Sequence, residues 1–213
     1  MTSPVLSLRQ LQLTLPGHCE VALDVEVAGG EILTVMGPSG SGKSSLLAAI
    51  AGFLSPAFTL KGDIFLGQQR LNELPAEQRG VGLLFQDALL FPHMSVAQNL
   101  AFALPSHVSD RRGAVAQALA AVGLDGYEER DPDTLSGGQK ARVALQRLLL
   151  SQPRAVLLDE PFSRLDAHLR QNLRRQVFDS LRAAGLPALL ITHDSEDARA
   201  AGGRVIELNP DTV

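Results

Sequence analysis

Residues 37–44, GPSGSGKS, constrain this chain of 213 residues more than any other stretch. They fill the pattern G-x-x-x-x-G-K-[ST], in which glycines let successive backbone N–H groups turn inward around phosphate oxygens. In this pattern Lys43 reaches the β- and γ-phosphates, and the Ser44 hydroxyl ligates Mg²⁺. The predicted phosphate contacts come from Gly37, Pro38, Ser39, Gly40, Ser41, Gly42, Lys43, Ser44 and Ser45. The motif predicts a bound nucleoside triphosphate but does not indicate what the triphosphate drives.

Three short and continuously apolar runs are typical of parallel strands that are covered by helices on both faces. They are residues 32–36, 155–158 and 188–192. Residues 44–54 favour a helix directly after the first run, which gives the phosphate loop its strand and helix. Residues 21–27 alternate apolar and polar side chains and favour an antiparallel strand. We therefore predict an α/β fold with a parallel core sheet and an antiparallel β subdomain.

The middle of the chain has a helical pattern. Residues 110–122 are rich in alanine, and a second helix is predicted to start near Ser136. A helical block over about 87–150 would then be inserted between the strands of the core. We predict a single domain over 1–213, in which 1–86 and 151–213 form the core and the β subdomain and about 87–150 forms the helical subdomain.

The strand predicted over 155–158 runs into two adjacent acids, Asp159 and Glu160. Beside a phosphate loop, an Asp at the end of the neighbouring strand holds Mg²⁺, directly or through water, and we assign that role to Asp159. Glu160 then lies where a carboxylate can orient and deprotonate an attacking water. Two ordinary surface acids at the end of a strand are the alternative.

A second anion-binding loop is predicted at Ser136, Gly137, Gly138 and Gln139, at the start of a helix. One nucleotide does not need two such sites within one compact chain. Two copies paired head to tail would resolve this, because each copy's Ser136 loop would close over the nucleotide of the other. The alternative is a helix N-cap followed by a flexible glycine pair.

The chain resembles the ATP-binding cassette ATPases. The motifs GPSGSGKSS, LLFQD, LSGGQKARVAL, VLLDEP, SRLD and ITHD stand in that family's order and span nearly the whole chain. The resemblance implies that Gln86 contacts the Mg²⁺ site and links it to the helical block. It also implies that Asp166 lies at the seam of the dimer and that His193 contacts the γ-phosphate. ATP and Mg²⁺ are the implied cofactors.

The segment that follows Gln86, LLFPHMSVAQNLAFAL within 89–104, is similar to ATPase subunits of bacterial binding-protein-dependent importers, nearest those for thiamine, iron and polyamines. In that group the region receives a short helix of the permease, and Leu89, Leu90, Phe91 and Met94 would line the groove. Packing of these residues in the protein's own core is the alternative. The implied partners are a second copy, integral-membrane permease subunits and, indirectly, a solute-binding protein. An exporter subunit or a soluble cassette ATPase without transport remains open.

Charge and composition agree with a peripheral protein. The net charge of −4 gives no basic field for nucleic acid. The start of the chain lacks the pattern of a signal peptide, and the uncharged stretch 88–109 contains prolines and polar residues that argue against a membrane span. The single cysteine, Cys19, excludes an internal disulfide. We expect the chain at the cytoplasmic face of the membrane.

The sequence departs from the family pattern at the position that stacks on the adenine base. Most members place an aromatic ring twenty-odd residues before the phosphate loop, whereas this chain has no Phe, Tyr or Trp before Phe53. Leu13, Leu15 or His18 would fill that space. Because base stacking contributes about 1–3 kcal/mol, we expect roughly tenfold weaker ATP binding and a relaxed choice between ATP and GTP.

Overall fold

The computed structural model describes residues 4–16, 18–163, 165 and 167–208, with the main chain alone for 18–20 and 167–169. The chain divides into two compact units. The first comprises Met1–Leu83, Arg154–Glu160 and Phe178–Val213, and the second comprises Leu84–Pro153 and Pro161–Val177. Asp166 lies outside the described residues.

The described residues form nine strands and six α-helices. The strands are β1 (Leu6–Leu15), β2 (His18–Val27), β3 (Ile32–Met36), β4 (Thr59–Leu66), β5 (Gln69–Arg70), β6 (Val81–Leu84), β7 (Ala155–Asp159), β8 (Ala188–Ile191) and β9 (Val205–Glu207). The helices are α1 (Lys43–Ala51), α2 (Val96–Ala103), α3 (Arg111–Ala121), α4 (Gly137–Leu150), α5 (Ala167–Ala183) and α6 (Ser195–Ala201). Short 3₁₀ turns cover Ala76–Gln78 and Pro132–Thr134.

The core sheet has the strand order β6-β7-β8-β3-β9. Strands β3 and β8 pair in parallel, as do β7 and β8 and also β3 and β9. The apolar runs of β7 and β8 are buried along their length, which is what a sheet covered on both faces requires. The predicted strands 32–36, 155–158 and 188–192 and the α/β fold are thereby confirmed.

The antiparallel sheet of the first unit has the order β2-β1-β4-β5. Along β2, Val21, Leu23, Val25 and Val27 are buried and the residues between them are exposed, as the alternating pattern predicted. Strand β1 has irregular register near Gln10, whose φ of 46° is rare for a residue with a side chain. The bulge faces Gly62 of β4, where a Cβ would lie 2.3 Å from the Gln10 carbonyl oxygen, so only glycine fits.

The second unit is built on helices. Its core gathers apolar side chains from α2, α3 and α4 and from the loops between them. The buried residues are Val96, Leu100, Leu104, Val115, Leu119, Val122, Leu124, Leu135 and Val143. None of the described helices combines the length and the apolar character that a bilayer crossing requires.

Candidate functional site

A cavity of about 710 Å³ opens in the first unit where three neighbouring strands of the parallel sheet end. The residue after β3 starts the phosphate loop, the last residue of β7 is Asp159, and His193 follows β8. In open α/β sheets, ligands bind at this carboxyl edge. The described lining consists of Gly37, Pro38, Ser39, Gly40, Gly42, Lys43, Ser44, Ser45, Phe58, Asp159, Glu160, Ile191 and His193.

The phosphate loop depends on glycine at two positions. A Cβ on Gly37 would lie 2.7 Å from the Ser41 Oγ and 2.8 Å from the Leu208 carbonyl oxygen, so a side chain there would clash. Gly42 has φ of 80° and is the N-cap of α1, with no side chain capping the first turn. The loop therefore stays close to the end of β3 and directs the N-terminus of α1 at the cavity.

Lys43 is buried by its own loop. Its ammonium donates to the carbonyl oxygens of Gly37 at 2.9 Å and Pro38 at 2.6 Å and to the Ser41 hydroxyl at 3.3 Å. Ser41 is itself buried, and its hydroxyl accepts one of these hydrogen bonds. The cation is thus fixed at the cavity wall, where it can exchange loop carbonyls for phosphate oxygens.

The two acids differ in environment and in backbone. Burial and the adjacent Glu160 raise the pKa of the Asp159 carboxyl, and Lys43 partly opposes this effect. Glu160 has φ of 45°, a left-handed conformation that costs energy for a residue with a Cβ. Its N–H donates to the Ile191 carbonyl oxygen at 2.9 Å. The strained turn presents the Glu160 carboxylate at the edge of the sheet.

His193 lies beside that carboxylate. Its Nδ1 is 3.0 Å from Glu160 Oε1, and the imidazole is 66% exposed. The loop around it is held by the buried Asp197, which accepts from the Thr192 hydroxyl at 2.8 Å, and by the Asp194 N–H, which donates to the same hydroxyl at 3.0 Å. These contacts fix the loop that carries His193, and the imidazole lines the cavity beside Glu160.

The arrangement suits a polyphosphate and a divalent cation. The loop, α1 and Lys43 supply N–H donors and positive charge for phosphate oxygens. Ser44 and Asp159 present oxygen atoms, the ligands that Mg²⁺ prefers. A cation between them would offset the burial and the Glu160 charge that raise the pKa of the Asp159 carboxyl, so these residues fit Mg²⁺.

The remaining predicted site residues belong to the second unit. Ser136 is the N-cap of α4 and forms a capping box with Gln139: the Ser136 hydroxyl accepts from the Gln139 N–H at 3.3 Å, and the Gln139 side chain accepts from the Ser136 N–H at 2.9 Å. Gly137 is exposed beside it, and Gly138 is buried. Gln86 is exposed and lines a narrow crevice with Phe162 and other apolar residues of that unit.

Phe58 and Ile191 also line the cavity, and neither was predicted as a site residue from the sequence. Ile191 is the last residue of β8 and precedes the predicted site residue His193 by two positions. Its place at the carboxyl end of a predicted strand could therefore have indicated it. Phe58 carries no motif at all. Leu13, one of the three residues expected near the base, is instead fully buried in the core, and Leu15 is not among the described lining residues. The His18 side chain lies outside the described residues.

Comparison with known proteins places the chain in a family. The family model described as ABC transporter matches residues 21–163. The uncharacterized ABC transporter ATP-binding protein YnjD of Escherichia coli is 49% identical over 92% of both chains. Two proteins named spermidine/putrescine import ATP-binding protein PotA are 38% identical in Bacillus anthracis and 40% identical in Oleidesulfovibrio alaskensis, over 88% of this chain. This chain spans 57% and 50% of those two longer relatives.

A solved structure has the same fold. The ATP-binding cassette MJ0796, in a dimeric post-hydrolysis state bound to ADP and Pi, covers 96% of this chain with a TM-score of 0.78 and 26% identity. Family match, relatives and fold agree with the phosphate loop, acid pair and histidine of the cavity. The chain therefore belongs to the ABC transporter family, as an ATP-binding subunit that hydrolyses ATP.

Proposed function

We propose that the chain powers the import of a small solute, in the group that serves thiamine, iron and polyamines. The two relatives named for spermidine/putrescine import support this direction of transport. In this proposal the chain works at the cytoplasmic face of the membrane with permease subunits and, indirectly, with a solute-binding protein. A thiamine-like solute is our narrower proposal, and the solute would be selected outside this chain.

In the proposed cycle the phosphate end of ATP binds first-unit residues. Lys43 and the loop N–H groups hold the β- and γ-phosphates, and Ser45 contacts the α-phosphate. Ser44 and Asp159 would hold Mg²⁺, which when bound neutralises charge on the phosphate oxygens. The Ser44 hydroxyl and the Asp159 carboxyl line the same cavity, which supports a cation-binding role because Mg²⁺ prefers oxygen ligands.

Glu160 acts as the general base in this proposal. It removes a proton from the water that attacks the γ-phosphorus, and the bond to the β–γ bridging oxygen breaks. His193 orients this carboxylate and contacts the γ-phosphate. Their separation of 3.0 Å and the strained backbone at Glu160 support an arrangement built for chemistry rather than for stability.

The cycle also needs a second copy. We propose a head-to-tail dimer in which Ser136, Gly137, Gly138 and Gln139 of each copy close over the nucleotide of the other, with Asp166 at the seam. The capping box at Ser136 supports this role because it fixes the first turn of α4, whose N–H groups can face an anion. The MJ0796 structure is dimeric and bound to ADP and Pi, which supports a dimer for this chain.

One observation carries the permease partnership: the second unit exposes large apolar side chains on the loop before α2 and on α2 itself. We call Leu89, Phe91 and Phe102 the docking face. Leu89 is 56% exposed and Phe102 is 65% exposed. The Phe91 and Phe102 rings meet edge to face, with centroids 5.0 Å apart. Exposed apolar groups of this size on an ordered surface are typical of protein interfaces.

The test combines co-purification with a surface variant. The tagged chain is recovered from gently solubilised membranes, and we expect a multi-span membrane protein and a secreted solute-binding protein with it. Phe102→Glu should remove this partner while the ATPase activity of the isolated chain stays unchanged. Val205→Glu is the control, because Val205 is 47% exposed on β9 of the other unit. Recovery of soluble proteins alone would contradict the transport role, and loss of the partner in both variants would contradict the docking face.

A further inference from the structure

We infer that Phe58 is the aromatic platform on which the nucleotide base stacks in this chain. The inference rests on the nucleotide site described above and adds a residue that neither the motifs nor the comparisons assign. It places the nucleoside against the segment between α1 and β4. The phosphates bind the phosphate loop, which lines the same cavity.

The composition of the cavity wall supports this assignment. Most of the described lining consists of glycine, hydroxyl and charged side chains, which suit the phosphates and a cation. Phe58 supplies the one phenyl ring among the described lining residues. A nucleoside triphosphate has one flat aromatic group, and an aromatic side chain is the surface against which such a group stacks. Pro38 and Ile191, the other apolar lining residues, offer no ring of this kind.

The backbone around Phe58 is fixed on both sides, so its Cα has a defined position at the cavity. The Phe58 N–H donates to the Ser55 carbonyl oxygen at 3.0 Å and closes a turn after α1. The next residue, Thr59, begins β4 and pairs with Thr14 of β1. A platform held in this way loses little conformational entropy when a base stacks on it.

The pairing also explains why Phe58 reaches the place where an aromatic ring is missing from the N-terminal strands. Thr14 pairs with Thr59 on one side and with Cys19 on the other, so Phe58 lies at the same end of the sheet as the hairpin between β1 and β2. That hairpin precedes the phosphate loop by about twenty residues and carries no Phe, Tyr or Trp. Phe58 supplies a ring from the residue just before the adjacent strand β4 instead.

Stacking on a phenyl ring recognises a flat base and does not read its hydrogen-bonding edge. The inferred platform therefore serves adenine and guanine alike. Loss of the ring should weaken the binding of ADP and of GDP by similar factors. Inorganic pyrophosphate, which has no base, should bind equally well with and without the ring.

The experiment compares these ligands by titration calorimetry on the full chain. Phe58→Ala should lower the affinity for ADP and for GDP by about 5- to 150-fold, which corresponds to the usual 1–3 kcal/mol for one stacked base. Pyrophosphate affinity should change less than about twofold, since the phosphate loop is untouched. Phe53→Ala is the matched control, because Phe53 lies on the same connection, is 54% exposed and is not among the described lining residues.

A fluorescence measurement gives an independent readout. The chain contains no tryptophan, so Phe58→Trp and Phe53→Trp each introduce a single reporter. ADP should quench the first reporter and leave the second unchanged, and pyrophosphate should quench neither.

The outcomes separate this inference from the nucleotide site itself. Unchanged ADP affinity in Phe58→Ala, or an equal loss for ADP and pyrophosphate, would overturn the role of Phe58. If the unmodified chain bound neither ADP nor pyrophosphate, the phosphate loop assignment would fail instead.

Discussion

Glu160 combines an unfavourable backbone conformation with the catalytic role that we propose for it. Its left-handed φ of 45° is unfavourable for any residue with a side chain. The hydrogen bond from the Glu160 N–H to the Ile191 carbonyl oxygen, at 2.9 Å, holds this conformation. The same turn brings the carboxylate to His193. A glutamine would preserve the shape and one hydrogen bond to the imidazole, but it could not accept a proton from water.

We therefore expect Glu160→Gln to bind ATP with nearly unchanged affinity and to lose about 10²–10⁴-fold in ATP turnover. Single-turnover hydrolysis and ATP titration on the same preparation would measure both quantities. Glu196→Gln, an exposed glutamate on α6, is the control for the loss of one negative charge. Turnover near the unmodified rate in Glu160→Gln would remove Glu160 from the role of base.

Among the elements, helix α4 connects two proposed functional surfaces of the second unit. It begins at Ser136, and its last turn carries Arg147. The Arg147 guanidinium donates to the Leu89 carbonyl oxygen at 2.9 Å and to the Ala88 carbonyl oxygen at 3.1 Å, and it lies 5.4 Å from the Phe91 ring centroid. One planar fork thus ties α4 to the loop of the docking face.

Buried Asn99 of α2 holds the same loop from the other side. Its side-chain oxygen accepts from the Phe91 N–H at 2.8 Å, and its amide nitrogen donates to the carbonyl oxygens of Phe91 at 3.1 Å and Met94 at 3.2 Å. Since the loop is anchored by side chains from two helices, the exposed apolar groups keep a fixed geometry.

We expect Arg147→Lys to loosen the loop over 88–94 without unfolding the unit, because an ammonium keeps the charge and loses the two-pronged geometry. Amide hydrogen exchange should rise in that loop, and ATPase stimulation by the permease should fall while the basal ATPase rate stays the same. Arg142→Lys is the control on the same helix, since Arg142 donates to the Val122 carbonyl oxygen at 2.8 Å. Unchanged exchange in Arg147→Lys would contradict the anchor.

The elements also show which parts of the molecule a sequence can predict. Strands β3, β7 and β8 were predicted because continuous apolar runs depend on local composition, and the phosphate loop was predicted because its residues are adjacent in the chain. The place of Phe58 in the cavity could not be predicted, because it depends on the pairing of Thr59 with Thr14, which is 45 residues away in the chain. The contact between His193 and Glu160 spans 33 residues and depends in the same way on the order of strands.

At the scale of the whole molecule, the proposed dimer makes each active site a shared one. The phosphate loop and acids come from one copy, and the Ser136 loop comes from the other. A variant that damages either part disables both sites of its own homodimer. A mixed dimer of two different variants would contain one site with both defects and one intact site, provided that the two damaged parts belong to opposite halves of a site.

We expect a mixture of Lys43→Ala and Ser136→Arg chains to hydrolyse ATP faster than either variant alone. Random pairing makes half of the dimers mixed, so about a quarter of all sites should be intact. A mixture of Lys43→Ala and Glu160→Gln is the control, because both changes fall in the same half and no pairing restores a site. Steady-state ATPase rates before and after mixing measure the effect. Equal failure of both mixtures would mean that each chain completes its own site, and the head-to-tail arrangement would be wrong.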